Sequence, residues 1–292
     1  MLAVGMTSSA RADDANGWIT SAAGRTILRA FAQAPFPYQS RANGHSYEGK
    51  TYAFAQHYND STVAIFVPAG FSAQPSGTDF IVHFHGWNNH VANVLQRYRL
   101  PEQVEASRVN AILVVPQGPY DSPDSDGGRL QHEPGAFAAL LQGVTTFLKE
   151  QNVISSTRIG SIVLSAHSGG YRALSNVLKI GGMSHAVADV LLFDAAYSDL
   201  DGFADWLAGA PSRRLVTIFT DDTISGNVEL MTMLQKRNVK TSSIMQADFA
   251  APQLRVRGAT FAYTPTLPHD ETMQKFDYFS LCLTTSALPT RP

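Results

Sequence analysis

The sequence predicts an α/β protein built on a doubly wound, mostly parallel sheet with helices on both faces. Three observations support this prediction. Short runs of β-branched and apolar residues recur along the chain, segments with helical spacing lie between them, and polar or glycine-rich turns follow most of the runs. Strands that alternate with helices form parallel sheets, because each crossover helix packs back on the sheet. We find no repeat or linker, so we expect one domain over residues 17–292 after a flexible segment, residues 1–16.

The first residues carry a partial signal for export. Residues 2–6 form a short apolar patch, and Ala10-Arg11-Ala12 has the small-x-small pattern of a cleavage site. A complete signal peptide has a basic start and a longer apolar segment, so this pattern is typical of a remnant. We therefore expect a secreted or periplasmic protein, with a cytoplasmic protein as the alternative.

The predicted elements begin with a helix and a hairpin. Apolar residues at roughly helical spacing predict a helix within residues 17–34. Two strands are predicted next, over residues 50–58 and 61–68, with Asn59 and Asp60 as the turn between them. From residue 80 onwards strands and helices alternate. The predicted strands are residues 80–84, 111–116, 159–165, 188–193, 214–219 and 258–263. The predicted helices are residues 90–105, 134–150, 200–207, 228–237 and 270–283, with a further helix that begins at Tyr171.

The composition excludes several classes of function. The formal net charge is -2, and the chain has no basic cluster, which argues against a nucleic-acid partner. No run of 18 apolar residues occurs, so no transmembrane segment is predicted. Cys282 is the single cysteine, which excludes a disulfide within this chain and a cysteine-based metal site.

One stretch carries the strongest chemical signal, Ala166-His167-Ser168-Gly169-Gly170, between a predicted strand and a predicted helix. A serine that projects from so sharp a turn needs small neighbours, because the strand and the helix pack closely on either side. The first turn of the helix also offers free N–H groups beside the hydroxyl. The alternative is a Ser/Gly-rich N-cap without chemistry.

Further polar residues follow the other predicted strands. The carboxyl ends of parallel strands meet at one edge of a sheet, where ligands bind. That edge would collect Ser168 together with His85-Gly86-Trp87, the loop of residues 116–133, Asp194, Asp221, Asp222 and His269. A serine hydroxyl needs a histidine to take its proton, and the histidine needs a carboxylate to orient it. The order Ser, Asp, His along the chain provides all three.

These motifs resemble those of the α/β-hydrolase-fold serine hydrolases, a group that includes esterases and lipases. The resemblance covers about residues 51–283 and rests on residues 166–170, on residues 82–86 (Val-His-Phe-His-Gly) and on Pro268-His269. It implies that Ser168 is the nucleophile and His269 the general base. It also implies that the main-chain N–H groups of Trp87 and Gly169 form an oxyanion hole. The chain departs from the usual motif in carrying Ala166 where glycine is common, and no subfamily is matched.

Three carboxylates compete for the position that orients His269. Asp194 ends an apolar run, where an unpaired carboxylate would be costly, and it resembles the acid of those lipases in which Asp follows the strand after the nucleophile. The commoner position in this fold offers Asp222 or Asp221 instead, in a polar segment that looks solvated. We predict Asp194 and keep the other two as alternatives.

Other residues of the predicted cleft are assigned to substrate or to structure. We expect His85, Gly86 and Tyr171 to contact substrate, although His85 also fits a bracing role in its loop. Trp87, Tyr120, Tyr171 and Tyr197 predict a partly aromatic site, or else ordinary half-buried aromatics. His83 and His167 are expected to be packing residues.

Nothing in the sequence requires a metal or a cofactor. His85, His90 and His132 do not have the spacing of a known zinc motif. The acidic loop of residues 121–126 lacks the pattern of an EF-hand, so we interpret it as a solvated lid over the cleft.

The sequence therefore predicts a carboxylic-ester hydrolase that works through an acyl-enzyme on Ser168 and acts on a small-molecule or polymeric ester. An amidase or peptidase with the same triad is the first alternative. A non-catalytic binding protein that kept the fold is the second.

Overall fold

A computed structural model describes residues 12–13 and 16–291 of the chain. Residues 1–11, 14–15 and 292 lie outside the described residues. The predicted export signal therefore falls outside them except for its last residue, Ala12. The strands are β1 (Ala12–Asp13), β2 (Ile19–Ser21), β3 (Gly24–Ala30), β4 (His45–Tyr47), β5 (Lys50–Tyr52), β6 (Thr62–Pro68), β7 (Thr78–Phe84), β8 (Ala111–Pro116), β9 (Ile159–His167), β10 (Val187–Phe193), β11 (Arg214–Phe219), β12 (Thr241–Met245) and β13 (Gly258–Tyr263). The helices are α1 (Phe54–His57), α2 (Val91–Arg97), α3 (Leu100–Ser107), α4 (Arg129–His132), α5 (Ala136–Glu150), α6 (Tyr171–Ile180), α7 (Asp201–Ala208), α8 (Ile224–Lys236), α9 (Ala251–Leu254), α10 (Glu271–Gln274) and α11 (Tyr278–Thr284).

One 11-stranded sheet runs through the described chain in the order β1-β2-β3-β6-β8-β7-β9-β10-β11-β13-β12. Strands β1, β2, β3 and β6 pair in antiparallel fashion, and β6 also meets β8 antiparallel. From β8 to β12 every pairing is parallel. The predicted doubly wound, mostly parallel sheet is thus confirmed.

Helices cover both faces of the sheet, and the strand residues alternate between the two cores. In β8, Ile112 and Val114 face the core beneath α5 to α8. Leu113 and Val115 face the second core, beneath α2, α3 and α11. All four residues are fully buried, which explains why the parallel strands are near-continuous apolar runs.

The helix predicted within residues 17–34 is wrong. That segment forms β2 and β3, and β3 pairs along its whole length with β6. Ile27 is buried whereas Leu28 is 40% exposed, because neighbouring residues of a strand point to opposite faces of the sheet. The apolar positions fit both periods, and the tertiary pairing with β6 decides between them.

The predicted hairpin between residues 50–58 and 61–68 is also wrong. β5 pairs with β4 in a separate two-stranded sheet, and residues 54–57 form α1. Because β3 and β8 flank β6 on its two sides, β6 has no free edge for β5.

Several helix boundaries differ from the prediction for a local reason. The segment 90–105 divides into α2 and α3 at Arg99, which has a left-handed φ of 49°. The segment 270–283 divides into α10 and α11 at Phe276 and Asp277, with φ of 57° and 48°. A left-handed residue cannot continue a right-handed helix. The sequence does not predict β12, a mostly polar strand at the edge of the sheet.

Among the described residues, no helix combines the length and the hydrophobicity that a membrane span requires.

Candidate active site

Ser168 lies at the apex of the turn between β9 and α6, in a left-handed conformation with φ of 51°. This conformation is unfavourable for a residue with a side chain, and tight packing of glycines around the turn accommodates it. A Cβ on Gly86 would lie 2.6 Å from the Ser168 Cβ, and a Cβ on Gly170 would collide with the Phe84 carbonyl oxygen. The loop after β7 therefore lies directly against the serine.

The predicted oxyanion donors flank this contact. A Cβ on Gly169 would lie 2.7 Å from both the Trp87 Nε1 and the Ser125 Oγ, so no larger residue fits there. Within the described chain, the main-chain N–H groups of Trp87 and Gly169 donate to no protein acceptor. Unpaired N–H groups are rare in folded proteins, and here they adjoin the Ser168 turn from two sides.

Asp194 and His269 form a hydrogen-bonded pair at the same edge of the sheet. Asp194 follows β10 and is fully buried, and the His269 Nδ1 lies 2.8 Å from its Oδ2. Thr220 and Thr223 donate three further hydrogen bonds to the two carboxylate oxygens, at 3.0 Å from the Thr220 main-chain N and 2.5 Å from each hydroxyl. Burial would raise the pKa of Asp194, but these hydrogen bonds outweigh burial and lower it.

The two alternative carboxylates are placed differently. Asp222 Oδ2 lies 3.7 Å from the His269 Nδ1, and its side chain is 58% exposed. Asp221 instead accepts a hydrogen bond from the Tyr263 hydroxyl. The structure thus brings Asp194 closest to the histidine ring and leaves Asp222 as a more distant, solvated charge.

The surroundings of His269 shift the pKa of its ring upwards. Burial alone would lower the pKa of His269, but the hydrogen bond with Asp194 and the charges of Asp194, Asp270 and Asp222 raise it above its usual value. Ser168 Oγ and His269 are not hydrogen-bonded to each other in this structure. Catalytic hydrogen bonds are often long in the absence of substrate and tighten when it binds.

A cavity of about 180 Å³ opens beside Ser168. Its walls are Trp87, Ser125, Ser168, Gly169, Tyr171 and Tyr197. Trp87 and Tyr197 are 38% and 42% exposed. The Tyr197 ring lies edge-on to the His269 ring, with the two ring centroids 6.4 Å apart.

Tyr171 is buried at the base of the cavity, where its hydroxyl accepts hydrogen bonds from Ser198 and Arg172. The cavity therefore places aromatic walls next to the serine and the histidine.

The whole fold is similar to those of solved structures. The chain is similar to the feruloyl esterase module of Clostridium thermocellum, with a TM-score of 0.54, 11% sequence identity and coverage of 91% of this chain and 89% of that one. It is similar to an S-formylglutathione hydrolase from Agrobacterium tumefaciens, with a TM-score of 0.52, 11% identity and coverage of 92% and 97%. A fluorophosphonate-binding serine hydrolase from Staphylococcus aureus gives a TM-score of 0.50, 10% identity and coverage of 89% and 99%.

The chain has the α/β-hydrolase fold. No protein-family model and no curated protein matches the sequence significantly. The relation to this fold is therefore visible in the backbone and in a few local motifs.

Within the α/β-hydrolase frame, the predicted substrate contacts are only partly placed at the cavity. Tyr171 lines the cavity, and Gly86 touches Ser168 from behind. His85 is buried, with Nδ1 2.9 Å from the Gly86 carbonyl oxygen, and its Nε2 accepts a 2.9 Å hydrogen bond from the Gly118 main-chain N. Both ring nitrogens therefore contact protein, which favours the bracing role. Tyr120 stacks on His90 at 4.6 Å and is not among the cavity walls.

The interpretation of residues 121–126 as a solvated lid is wrong. Asp124 and Asp126 are buried at 6% and 5% exposure and form ion pairs with Arg41 at 2.6 and 3.0 Å. Two buried carboxylates need a cation, and Arg41 comes from a short turn far away in sequence. These ion pairs anchor the loop to the turn that carries Arg41. Between the two aspartates, the Ser125 hydroxyl accepts a 2.7 Å hydrogen bond from the Trp87 indole.

The described residues include one group of three side chains whose ligand atoms lie within 4.8 Å of one another, Asp194, Asp222 and His269. Both oxygens of Asp194 already accept hydrogen bonds from Thr220, Thr223 and His269. A metal would compete with those donors, so the trio suits an orienting carboxylate better than a metal site. His85, His90 and His132 do not form such a group.

The raised pKa of His269 leads to a prediction that needs no substrate. In a histidine NMR titration, His269 should titrate above the ordinary value of about 6.5. Asp194→Asn should lower the midpoint, because it removes the bond that stabilises the charged ring. Asp222→Asn, the matched control, should lower it far less, since Asp222 is farther away and solvated. A larger drop in the Asp222→Asn variant than in Asp194→Asn would contradict this account of the pair.

Proposed function

We propose that the chain is a serine hydrolase that cleaves carboxylic esters through an acyl-enzyme on Ser168. One observation carries the proposal: the left-handed turn presents Ser168 at the sheet edge that also holds the buried Asp194–His269 pair. A nucleophile, a base with a raised pKa and a carboxylate that orients the base are the three groups that acyl transfer requires.

In the proposed first step, Ser168 Oγ attacks the ester carbonyl carbon while His269 Nε2 takes the hydroxyl proton. The His269 Nδ1–H remains hydrogen-bonded to Asp194, which stabilises the imidazolium. The negative charge on the carbonyl oxygen is met by the N–H groups of Trp87 and Gly169. One such donor is worth about 3–4 kcal/mol of transition-state stabilisation in enzymes of this kind.

The second half of the reaction reverses these roles. His269 gives its proton to the departing alcohol oxygen as the carbon–oxygen bond breaks, which leaves an ester on Ser168. A water molecule then attacks that ester while His269 takes the water proton, and Ser168 leaves with a proton returned by His269. The products are the carboxylic acid and free enzyme.

The solved structures named above support hydrolysis in general terms. They are named as a feruloyl esterase module, an S-formylglutathione hydrolase and a fluorophosphonate-binding serine hydrolase. At 10–11% identity these similarities establish the fold, so the activity rests on the residues around Ser168.

The alternative functions differ in one measurable property each. An amidase or peptidase would use the same groups but expel an amine, so p-nitroanilides would be turned over at rates comparable to p-nitrophenyl acetate. A binding protein would turn over neither. The free N–H groups, the nucleophile and the paired base lie together at one sheet edge, which favours a catalyst over a binding protein, and the comparison of ester with anilide turnover separates the esterase from the amidase.

The cavity limits the size of the acyl group. A cavity of about 150 Å³ lined by apolar groups holds one benzene ring, and the cavity here measures about 180 Å³. Its aromatic walls, Trp87 and Tyr197, offer flat surfaces for stacking. We therefore propose a compact acyl group no larger than one ring with a short linker.

The triad can be tested by kinetics with p-nitrophenyl acetate. Ser168→Ala should lower kcat by several orders of magnitude, and Asp194→Asn should lower it by about 10⁴-fold, the loss known for the equivalent change in a serine protease. Asp222→Asn is the control and should stay within a few-fold of the unsubstituted chain. The proposed triad is wrong if folded Ser168→Ala retains full turnover, or if the two aspartate variants exchange their effects.

Acyl size can be tested with methyl esters, which share one small alcohol. Methyl phenylacetate should have a higher kcat/KM than methyl octanoate. Tyr197→Ala should lower the phenylacetate-to-acetate ratio of kcat/KM by about tenfold, the value of one aromatic contact. Tyr120→Ala removes a tyrosine outside the cavity and should leave that ratio unchanged. Preference for octanoate, or an unchanged ratio in Tyr197→Ala, would refute the proposed acyl site.

A further inference from the structure

The side chain of His167, the residue before Ser168, lies against His269. The two ring centroids are 4.8 Å apart, and His167 is 1% exposed. Its Nε2 lies 3.4 Å from the main-chain carbonyl oxygen of His269, and its Nδ1 lies 3.2 Å from the Tyr98 hydroxyl. A buried imidazole needs polar partners in any role, and the distinctive feature here is that one partner is the main chain of the proposed base, His269.

Only one neutral tautomer satisfies both contacts. A carbonyl oxygen can only accept, so the proton must be on Nε2, which donates to His269. The Nδ1 lone pair then accepts from the Tyr98 hydroxyl. The Oδ1 of Asp270 lies 3.4 Å from the same hydroxyl and is a second, longer acceptor for its proton, while Arg97 donates a 2.6 Å hydrogen bond to the Oδ2 of Asp270. The Tyr98 hydroxyl lies closer to the His167 Nδ1, at 3.2 Å, and donation there satisfies both ring nitrogens of His167.

The main chain around His269 is held from two further sides. The Thr272 hydroxyl donates to the same His269 carbonyl oxygen at 2.9 Å. The Gln103 side-chain amide donates to the carbonyl oxygens of Tyr98 and Met273, at 2.8 and 2.9 Å. The contact from His167 is the one that ties this segment directly to the strand that carries Ser168.

The surroundings keep the His167 ring uncharged. The titratable side chains that face it are His83, Tyr98, Asp194, His269 and Asp270. Burial, followed by proximity to His269, lowers the pKa of His167 to about 4. The ring is therefore neutral wherever His269 can act as a base, and it does not repel the positive charge that forms there.

We propose that His167 is a positioning residue for the general base. The Nε2–H of His167 holds the main chain of His269, while the uncharged His167 ring packs beside the imidazolium of His269. The inference rests on the proposed function for the identity of the base. It adds that the base is positioned from β9, the strand that ends at the nucleophile, as well as by Asp194.

Two substitutions separate the hydrogen bond from simple packing. His167→Phe keeps an aromatic ring but has no N–H, whereas His167→Gln keeps an amide N–H that can reach the Nε2 position. With p-nitrophenyl acetate, His167→Phe should lose about tenfold in kcat at nearly constant KM, the size expected for one lost hydrogen bond. His167→Gln should recover most of that loss.

The pH profile adds a readout that a purely structural role would not move. In His167→Phe, His269 is held less firmly against Asp194, the partner that raises its pKa. The acidic limb of kcat/KM should therefore move to lower pH, while His167→Gln keeps the original midpoint. An unchanged kcat and midpoint in folded His167→Phe would overturn the proposal. Equal losses in the two variants would overturn it as well, because the N–H would then be irrelevant.

A second measurement does not depend on turnover or on variants. In ¹⁵N NMR of the unsubstituted chain, His167 should be the neutral Nε2–H tautomer from about pH 8 down to about pH 5. An Nδ1–H tautomer, or titration near the ordinary value of about 6.5, would refute the inference. This readout tests the contact between His167 and the His269 main chain even in a chain that hydrolyses no ester, so its failure and the failure of the proposed function are distinguishable.

Discussion

The close approach between the loop after β7 and the turn at Ser168 is the constraint on which the rest of the site depends. A side chain at φ of 51° costs of order 1–3 kcal/mol unless the surroundings hold it. They do so here through contacts that only glycine permits at positions 86 and 170. The same approach brings the free N–H groups of Trp87 and Gly169 to the two sides of the serine.

The second constraint is a buried carboxylate that must stay charged. Asp194 is inside an apolar sheet edge, and an unpaired charge there would be prohibitive. The main chain and hydroxyl of Thr220, the hydroxyl of Thr223 and the ring of His269 together satisfy it. That arrangement keeps Asp194 ionised and His269 basic, while the neighbouring His167 stays neutral because its burial is not matched by a carboxylate of its own. One edge of the sheet therefore holds two adjacent histidines whose pKa values are shifted in opposite directions.

The sequence was most informative where local chemistry and tertiary structure agree. The buried parallel strands are apolar runs of the expected length, and the strand–turn–helix context of Ser168 is readable without a structure. The pair of Asp194 and His269 was also the first choice, because an aspartate at the end of an apolar strand needs a partner. The structure places the two in contact, and their catalytic role stays a prediction.

The features that the sequence does not predict depend on contacts between residues far apart in the chain. The segment within residues 17–34 fits a helix and a strand almost equally, and only β6 decides. Thr220 and Thr223 flank Asp221 and Asp222 in the polar segment that looks solvated in the sequence, yet their hydroxyls donate hydrogen bonds to the buried Asp194. Asp124 and Asp126 look like an exposed acidic loop in the sequence, because their ion-pair partner, Arg41, lies more than 80 residues earlier in the chain. A polar residue close to a strand end is worth testing as a partner for a buried charge before it is assigned to solvent.

The most direct test of the account is covalent labelling of the nucleophile. The purified chain is treated with a fluorophosphonate and digested, and the modified peptide is identified by mass spectrometry. We expect a single adduct on Ser168 that forms rapidly in the unsubstituted chain and far more slowly in Asp194→Asn, whose histidine is no longer oriented. Ester turnover that continues without an adduct on Ser168, or an adduct on a different serine that abolishes turnover, would contradict it.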